Sequence, residues 1–476
     1  MKNTNIIEQI KRQTKIVATI GPATHEVPML TKMIDAGINI ARLNMSHGDH
    51  KEHGERIKNI RKACEETSAS LGILLDLAGP KIRTGEVKGE NINLVEGKKI
   101  TLTTEEVVST GEELTVKYKN LAKEVKVGGY ILLDDGRRKL LVEKINGNKV
   151  ICKIIIGGYI RSRRGVNMPG AYLSISAITE KDENDIKFAV KNKVDYIALS
   201  FVRTADDVRK LKSLLPKNYK PLIISKIETE EALIHIDEIV EESDGIMIAR
   251  GDLAIETPRE KVPVIQKELI EKARSKGKIA ITATQMLESM INSPVPTRAE
   301  VSDIANAIFD GTDAVMLSEE SAKGNYPVEA VKVMVEVAKV TDPHITKTYT
   351  NFKKLSEKDS VRIHSVMLAE QMNAKAIVSV TRTGYTPKII SSFRVKKPIL
   401  AMTEDESILN KVIAYRGVWP MHLDDKAQNL NELRSDVKTL LKEKKIVSKG
   451  DAIVIVVCGF KFTGQDEVNS ILLEKI

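Results

Sequence analysis

The chain has 476 residues, of which 42% are hydrophobic and only 4% aromatic. That is enough for several domains with mainly aliphatic cores, and it argues against general disorder. Its 74 Lys+Arg exceed 65 Asp+Glu to give a formal net charge of +9. The basic residues are interleaved with acids such as Glu105-Glu106 and Glu241-Glu242 and lack stacking aromatics, so the pattern fits a solvated surface that favours small anions, not nucleic acid.

Three scattered cysteines, Cys64, Cys152 and Cys458, form no CxxC pair, which points to a reducing compartment without a disulfide framework or zinc cage. Met1 to Gln13 lacks the apolar core of a signal peptide, and runs such as Ile453 to Cys458 are too short to span a bilayer. The expectation is a soluble cytoplasmic protein with no membrane or nucleic-acid partner.

Taken in order, eight short apolar runs read as strands: Lys15–Ile20, Ile38–Leu43, Gly72–Leu77, Tyr196–Phe201, Leu222–Ile227, Gly245–Ala249, Ile279–Ala283 and Asp313–Leu317. Amphipathic stretches follow most of them, and alternating strand and helix predicts a closed (β/α)8 TIM barrel in the α/β class. Between the third and fourth runs, roughly 81–172, the pattern changes to short alternating runs punctuated by Gly128-Gly129, Asp134-Asp135-Gly136 and Asn146-Gly147-Asn148. That predicts an inserted small β-barrel domain placed over the barrel mouth as a lid. Further on, Thr297-Arg-Ala-Glu300 reads as a capping box. After about residue 345 a second α/β pattern begins, with strands at Ala376–Val380, Ile399–Met402, Val418–Leu423 and Ala452–Val457. The expected division is 1–80 with 173–344 for the barrel, 81–172 for the lid and 345–476 for the C-terminal α/β domain.

In such a barrel, chemistry sits where strands end. Strand two ends in Arg42-Leu-Asn-Met-Ser-His47 and strand three in Asp76-Leu-Ala-Gly-Pro-Lys-Ile-Arg-Thr84. Strand four leads to Ser200 and Arg203, strand five to Lys226 and Glu228, strand six to Arg250 and Asp252, strand seven to Thr284-Gln285 and strand eight to Ser318-Glu-Glu320. Lys226 with Glu228 and Asp252 suits phosphoryl transfer, in which carboxylates hold a divalent metal and an ammonium neutralises the moving phosphoryl group. The bland readings are a structural ion pair for Lys226–Glu228, a helix cap for Asp252, a loop residue for His47 and a solvated helix start for Lys181. Seven polar strand ends at one mouth weigh against the first two.

The segments Thr14-Lys-Ile-Val-Ala-Thr-Ile-Gly-Pro-Ala-Thr24, Ala41-Arg-Leu-Asn-Met-Ser-His-Gly48, Ser225-Lys-Ile-Glu228, Ala249-Arg-Gly-Asp-Leu253, Ala283-Thr-Gln-Met-Leu-Glu-Ser-Met290 and Pro296-Thr-Arg-Ala-Glu-Val301 resemble pyruvate kinase, in order and over nearly the whole chain. The resemblance implies transfer of the phosphoryl group of phosphoenolpyruvate to ADP, giving pyruvate and ATP, the last step of glycolysis. It implies Glu228 and Asp252 as ligands of Mg2+ or Mn2+. Arg42, Lys226, Gly251, Asp252 and Thr284 would bind substrate, and Arg42, Arg83, Lys226, Thr284 and Ser318 would be catalytic. Asn44, His47, Arg83 and Lys181 would lie at the nucleotide. It also implies a homotetramer and an effector role for the C-terminal domain. There the strand-to-helix loop of Thr381, Arg382, Thr383, Gly384, Tyr385 and Thr386, before a helix opening with Pro387, suits either a phosphorylated effector or an ordinary capped turn.

One departure carries a prediction. Many members of the family read Asp-Thr-Lys-Gly-Pro-Glu where this chain reads Asp76-Leu-Ala-Gly-Pro-Lys81. In those members K+ sits among oxygens equivalent to Asn44, Ser46 and Asp76. Leu77 removes a hydroxyl and Lys81 brings a fixed positive charge, so the expectation is an enzyme that does not require K+. Ala254 and Glu319, where the family usually has glycine, are further departures, and Glu319 is expected to add negative charge near the mouth. The competing readings are another phosphoenolpyruvate- or pyruvate-handling barrel and a catalytically weak binding protein.

Overall fold

The computed structural model describes residues 4–345, 356–424, 426–462 and 466–476. Eight parallel strands close into a barrel: β1 (Lys15–Thr19), β2 (Ile40–Asn44), β3 (Gly72–Asp76), β4 (Tyr196–Leu199), β5 (Leu222–Ile227), β6 (Gly245–Ala249), β7 (Ile279–Ala283) and β8 (Ala314–Leu317). All eight coincide with the apolar runs of the sequence. Successive side chains of a strand point to opposite faces, which sorts the core. Ile16, Ala18, Ile73, Leu75, Ile223 and Ile246 face the surrounding helices. Val17, Leu74, Ile224 and Met247 fill the barrel interior and join the C-terminal domain in one apolar cluster. The helix Arg298–Phe309 starts with the expected capping box, Thr297 and Glu300 each satisfying the other's backbone N–H.

The insertion after β3 is entirely β apart from the short helix Leu121–Glu124. It is a curled six-stranded sheet flanked by a two-stranded pair, wrapped around its own core of Leu102, Leu114, Ile131, Leu140 and Val150. The C-terminal domain has a five-stranded sheet of β9 (Ala376–Val380), β10 (Ile399–Thr403), β11 (Val418–His422), β12 (Ala452–Lys461) and β13 (Glu467–Lys475). The first four are the predicted strands and run parallel; β13 returns antiparallel to β12 at the sheet edge. β13 escaped the sequence reading because its apolar residues, Val468 and the three-residue run Ile471-Leu472-Leu473, do not alternate and the run is shorter than those of the other strands. The expected join near residue 345 borders 346–355, which lie outside the described residues, as do residues 1–3 of the polar start. Among the described residues no helix is long and apolar enough to cross a membrane.

Candidate active site

Strand parity carries the site. With Ile40, Leu74, Ala198 and Ile224 facing inward, Arg42, Asp76, Ser200, Lys226 and Glu228 face inward two or four residues later, at the C-terminal ends of β2 to β5. The register places Arg42 opposite Leu74, Asn44 opposite Asp76, and Asp76 opposite Ala198. These side chains therefore meet in one layer.

Arg42 donates to Asp76 Oδ2 from Nε at 2.7 Å and from Nη2 at 2.5 Å, while its Nη1 donates to Thr19 Oγ1 at 2.8 Å. Lys226 Nζ lies 2.7 Å from Ser200 Oγ, 3.0 Å from Glu228 Oε1 and 3.4 Å from Asp76 Oδ1. The other Glu228 oxygen accepts from the Phe201 N–H at 2.7 Å, and that bond needs the left-handed turn of Phe201, φ +53°. Burial by itself would lower the Lys226 pKa, but Asp76 and Glu228 more than reverse it and keep the ammonium charged. Asp76 is held below the usual carboxylate range: burial raises it, and Lys226 and Arg42 outweigh burial. Glu228 moves the other way. Its burial pushes the carboxyl up against the pull of Lys226, and Asp252 adds repulsion.

Asp252 stands in the first turn of the helix Arg250–Glu256, directly after β6, where a carboxylate is favoured by the helix dipole. It is not the cap of that helix, because the N-cap position is Ala249. Two cations and three carboxylates, Arg42, Lys226, Asp76, Glu228 and Asp252, leave one net negative charge. A pair of neighbouring carboxylates whose charges repel fits a hard divalent cation. Among the described residues no group of three His, Cys, Asp or Glu could enclose a metal. Mg2+ tolerates that, since it keeps waters and substrate oxygens in its shell.

The exits of β7 and β8 hold a third group. Thr284 and Gln285 both adopt positive φ, +70° and +55°. For a β-branched residue this is strain on the order of 1–3 kcal/mol. Thr284 Oγ1 accepts from the Gly251 N–H at 2.9 Å and donates to the Ala283 carbonyl at 2.7 Å. Arg250 braces the turn, with Nη2 on the Thr284 carbonyl at 2.8 Å and Nη1 on Asp303 at 2.7 Å. Buried Glu320 joins the two strand ends by accepting from the N–H groups of Leu287 at 3.1 Å and Ser318 at 2.7 Å. Burial pushes its carboxyl pKa up.

The remaining predicted residues divide. Lys181 stands exposed in the first turn of the helix Glu180–Asn192, as a helix-start residue would, and its Nζ also donates to the Met45 carbonyl at 2.7 Å and to Asp185 at 2.6 Å, tying it to the loop that carries exposed Ser46 and His47. Asn44 Oδ1 accepts from the Ser46 N–H at 3.1 Å. Leu77 is buried in the core between barrel and helices. Arg83 is exposed, and its guanidinium donates to the Arg163 carbonyl at 3.1 Å in a turn of the lid instead of joining Arg42. Lys81 is also exposed. It lines a cavity of about 260 Å3 between lid and barrel with Asp135, Gly165, Asp252 and Glu256. Glu319 is exposed and paired with Lys323 at 2.9 Å, so solvent and a partner screen the charge expected near the mouth. Nothing around half-buried Ala254 shows a consequence of its change from glycine.

In the C-terminal domain, Thr381 Oγ1 accepts from the Gly384 N–H at 2.9 Å, and Gly384 takes φ +77° before a helix spanning Tyr385–Ser392. The helix thus opens two residues earlier than predicted. Pro387 is tolerated because the first turn needs no backbone donors. The Arg362 guanidinium stacks over Tyr385 at 4.7 Å and that of Arg382 over Phe460 at 4.1 Å.

Sequence reasoning listed Ser200, Arg250 and Glu320 only as strand-end residues. It gave no place to Phe201, Asn167, Glu256 or Asp185. Parity from Ala198 identifies Ser200; the positive φ at Phe201 and Thr284 leaves no mark in residue type.

Barrel, lid and strand-end cluster define a phosphotransferase of the (β/α)8 class, and comparison with known proteins makes that specific. Residues 11–331 match the family model for the pyruvate kinase barrel domain, and residues 359–473 match that for the pyruvate kinase alpha/beta domain. The chain belongs to the pyruvate kinase family. It is 43% identical over 455 residues to pyruvate kinase of Geobacillus stearothermophilus, covering 94% of this chain and 77% of that protein. It is 42% identical to pyruvate kinase of Clostridium acetobutylicum, covering 93% and 95%. A crystal structure of a pyruvate kinase from Cryptosporidium parvum superposes with a TM-score of 0.91 at 35% identity, over 98% of this chain and 97% of that one.

Proposed function

We propose that this chain transfers the phosphoryl group of phosphoenolpyruvate to ADP, forming pyruvate and ATP in the cytoplasm. The observation that carries the reading is Lys226, buried and charged between Asp76 and Glu228, with Asp252 beside them. Glu228 and Asp252 would hold Mg2+ or Mn2+. When bound, the ion supplies positive charge against the phosphate and carboxylate oxygens of the substrate. Lys226 offsets the charge that spreads over the phosphoryl oxygens during transfer. Arg42 and Arg83 grip phosphate oxygens with planar forks of donors, which requires Arg42 to share its Asp76 contact with substrate and Arg83 to leave the Arg163 carbonyl. The Gly251 N–H would meet the substrate carboxylate after releasing Thr284 Oγ1. Breaking the ester bond leaves an enolate whose methylene carbon must gain a proton. Thr284, with water and Ser318, belongs to that delivery. Asn44, His47 and Lys181 line the nucleotide side.

The same reading makes the enzyme independent of K+. Leu77 is turned into the core and offers no oxygen, Asp76 is committed to Arg42 and Lys226, and Lys81 puts a positive charge at the cleft. A monovalent cation 4 Å from an ammonium would be repelled by roughly 4 kcal/mol at intermediate dielectric. A phosphorylated effector at Thr381, Arg382, Thr383, Gly384 and Thr386 and a homotetramer complete the proposal, supported by the helix N-terminus at that loop and by the family resemblance.

The test is pyruvate formation from phosphoenolpyruvate and ADP with Mg2+, in K+ buffer and in buffer free of K+ and Na+. Equal turnover is expected in both, and Lys81→Glu should make turnover rise with K+. Activity of the unmodified protein only with K+ would refute the lysine assignment while keeping the reaction. A folded protein inactive in both would refute the reaction.

A further inference from the structure

The helix Arg250–Glu256 touches three parts of the molecule within seven residues. Its first turn carries Asp252, and the Gly251 N–H there is bonded to Thr284 at the exit of β7. Its middle is fixed to the barrel by Leu253, which is fully buried. Its last turn meets the lid. The Glu256 Oε1 accepts from Asn167 Nδ2 at 3.0 Å, and Asn167 belongs to a lid strand paired with Tyr130–Leu133. One residue earlier, Ile255 lies under the lid turn at Gly136, where a Cβ would stand 3.7 Å from its side chain. Gly136 has φ +79°, a conformation that favours glycine and lets the turn sit close. The cavity between lid and barrel is lined from both sides here, by Lys81, Asp135 and Asn167 and by Asp252 and Glu256.

A helix of this length is about 10 Å long and rigid compared with the loops around it. Contacts at its lid end therefore bear on the placement of the carboxylate at its other end. The described lid residues reach the helix through a hydrogen bond with definite geometry and a packed turn.

We propose that Asn167 and Glu256 form a latch between lid and barrel that positions the helix carrying Asp252, making both positioning residues for the divalent ion and for substrate capture. The proposal rests on Asp252 holding the ion, as argued above. Neither residue need touch the ion or the substrate. The latch acts by fixing where Asp252 stands when the lid is down, and it ties lid position to ion affinity in both directions.

The experiment measures Mn2+ affinity by electron paramagnetic resonance on the full-length protein, alongside KM and kcat. Asn167→Ala and Glu256→Ala should each weaken Mn2+ binding and raise the phosphoenolpyruvate KM about fivefold, near the worth of one net hydrogen bond, with kcat changing less. Glu256→Gln keeps an acceptor for Asn167 and should restore both values. The double alanine variant should lose no more than either single one, as expected for partners in one bond. Unchanged Mn2+ affinity in both alanine variants would overturn the latch, as would independent, additive losses. The Mn2+ readout needs no turnover, so a protein that binds the ion but makes no pyruvate would refute the reaction and leave the latch judged on its own. Glu256→Gln and Asn167→Ser serve if an alanine variant does not fold, and only the serine should weaken Mn2+ binding.

Discussion

The two ends of the barrel both bury charge, but they do so in different ways. At the N-terminal end, where the C-terminal domain docks, two arginines are paired with aspartates and sealed, and buried Lys15 has its pKa lowered by desolvation and by the nearby Arg12. Arg394 meets Asp313 with two bonds of 3.0 Å and also donates to the Gly311 carbonyl. Arg416 meets Asp342 at 3.0 Å, and Asp342 accepts from the Thr14 N–H and hydroxyl. Lys15 donates to the Val418 carbonyl at 2.5 Å and sits 3.3 Å above the Trp419 ring. At the C-terminal end the cluster around Lys226 holds one carboxylate too many and opens on a cleft. Matched, bidentate pairs specify how two domains fit together. A surplus of negative charge beside a cation leaves work for a ligand to do. The same residue types therefore read as structure at one end and as chemistry at the other, and what decides is whether the unmatched charge is sealed, as Lys15 is over Trp419, or opens on a cleft, as Asp252 does.

Removing a charge from each end tests that contrast. Lys226→Met should have the largest effect, a fall in kcat of roughly a thousandfold or more, the scale for a cation on a transferring phosphoryl group. Pyruvate formation under saturating substrates measures it. Asp313→Ala should leave kcat per folded molecule within about threefold, yet it strands Arg394 in the domain interface. Losing one partner of a buried pair costs about 3–5 kcal/mol, read as a lower urea midpoint. A variant at Asp313 that lost activity without losing stability would break the division between the two ends.

Much of this was legible in the residues. Eight apolar runs of barrel length, a β-rich insertion after the third and a second α/β pattern gave the architecture, because a strand buried on both faces needs an unbroken apolar run. Lys226, Glu228, Asp252 and Arg42 were legible because charge at the end of such a run must face a mouth. Arg83 and Lys81 were harder to place. They lie beyond β3 in the arm leading to the lid, and their positions depend on how the lid sits, which no local pattern encodes. The bond between Asn167 and Glu256 was invisible for the same reason, joining residues 89 apart across two domains. Positive φ at Phe201, Thr284 and Gln285 also went unseen, since tertiary contacts impose it on residues that do not prefer it.

A smaller effect would sharpen the comparison further. Asp195 lies at the sealed end, where its carboxylate accepts from the Ile73 N–H at 2.8 Å. Burial pushes its pKa up from 3.8 to about 6, against the pull of that bond and of Lys411 and Arg61. The folded protein thus holds a proton there that the unfolded chain has lost, between about pH 4 and 6. Its contribution to stability is fully present below the unfolded value and disappears as pH rises through the folded one. The span is at most about 3 kcal/mol, at roughly 1.4 kcal/mol per pKa unit. Asp195→Asn keeps an oxygen for Ile73 but cannot ionise. Urea midpoints from pH 4 to 8 should therefore fall less steeply for the variant, and at pH 7.5 it should be as stable as the unmodified protein or more so. A variant that kept the full slope would place the titration elsewhere. The matched pairs of the sealed end, whose carboxylates such as Asp342 are held low by Arg416 despite burial, would then no longer contrast with the Asp195 carboxyl, which burial raises.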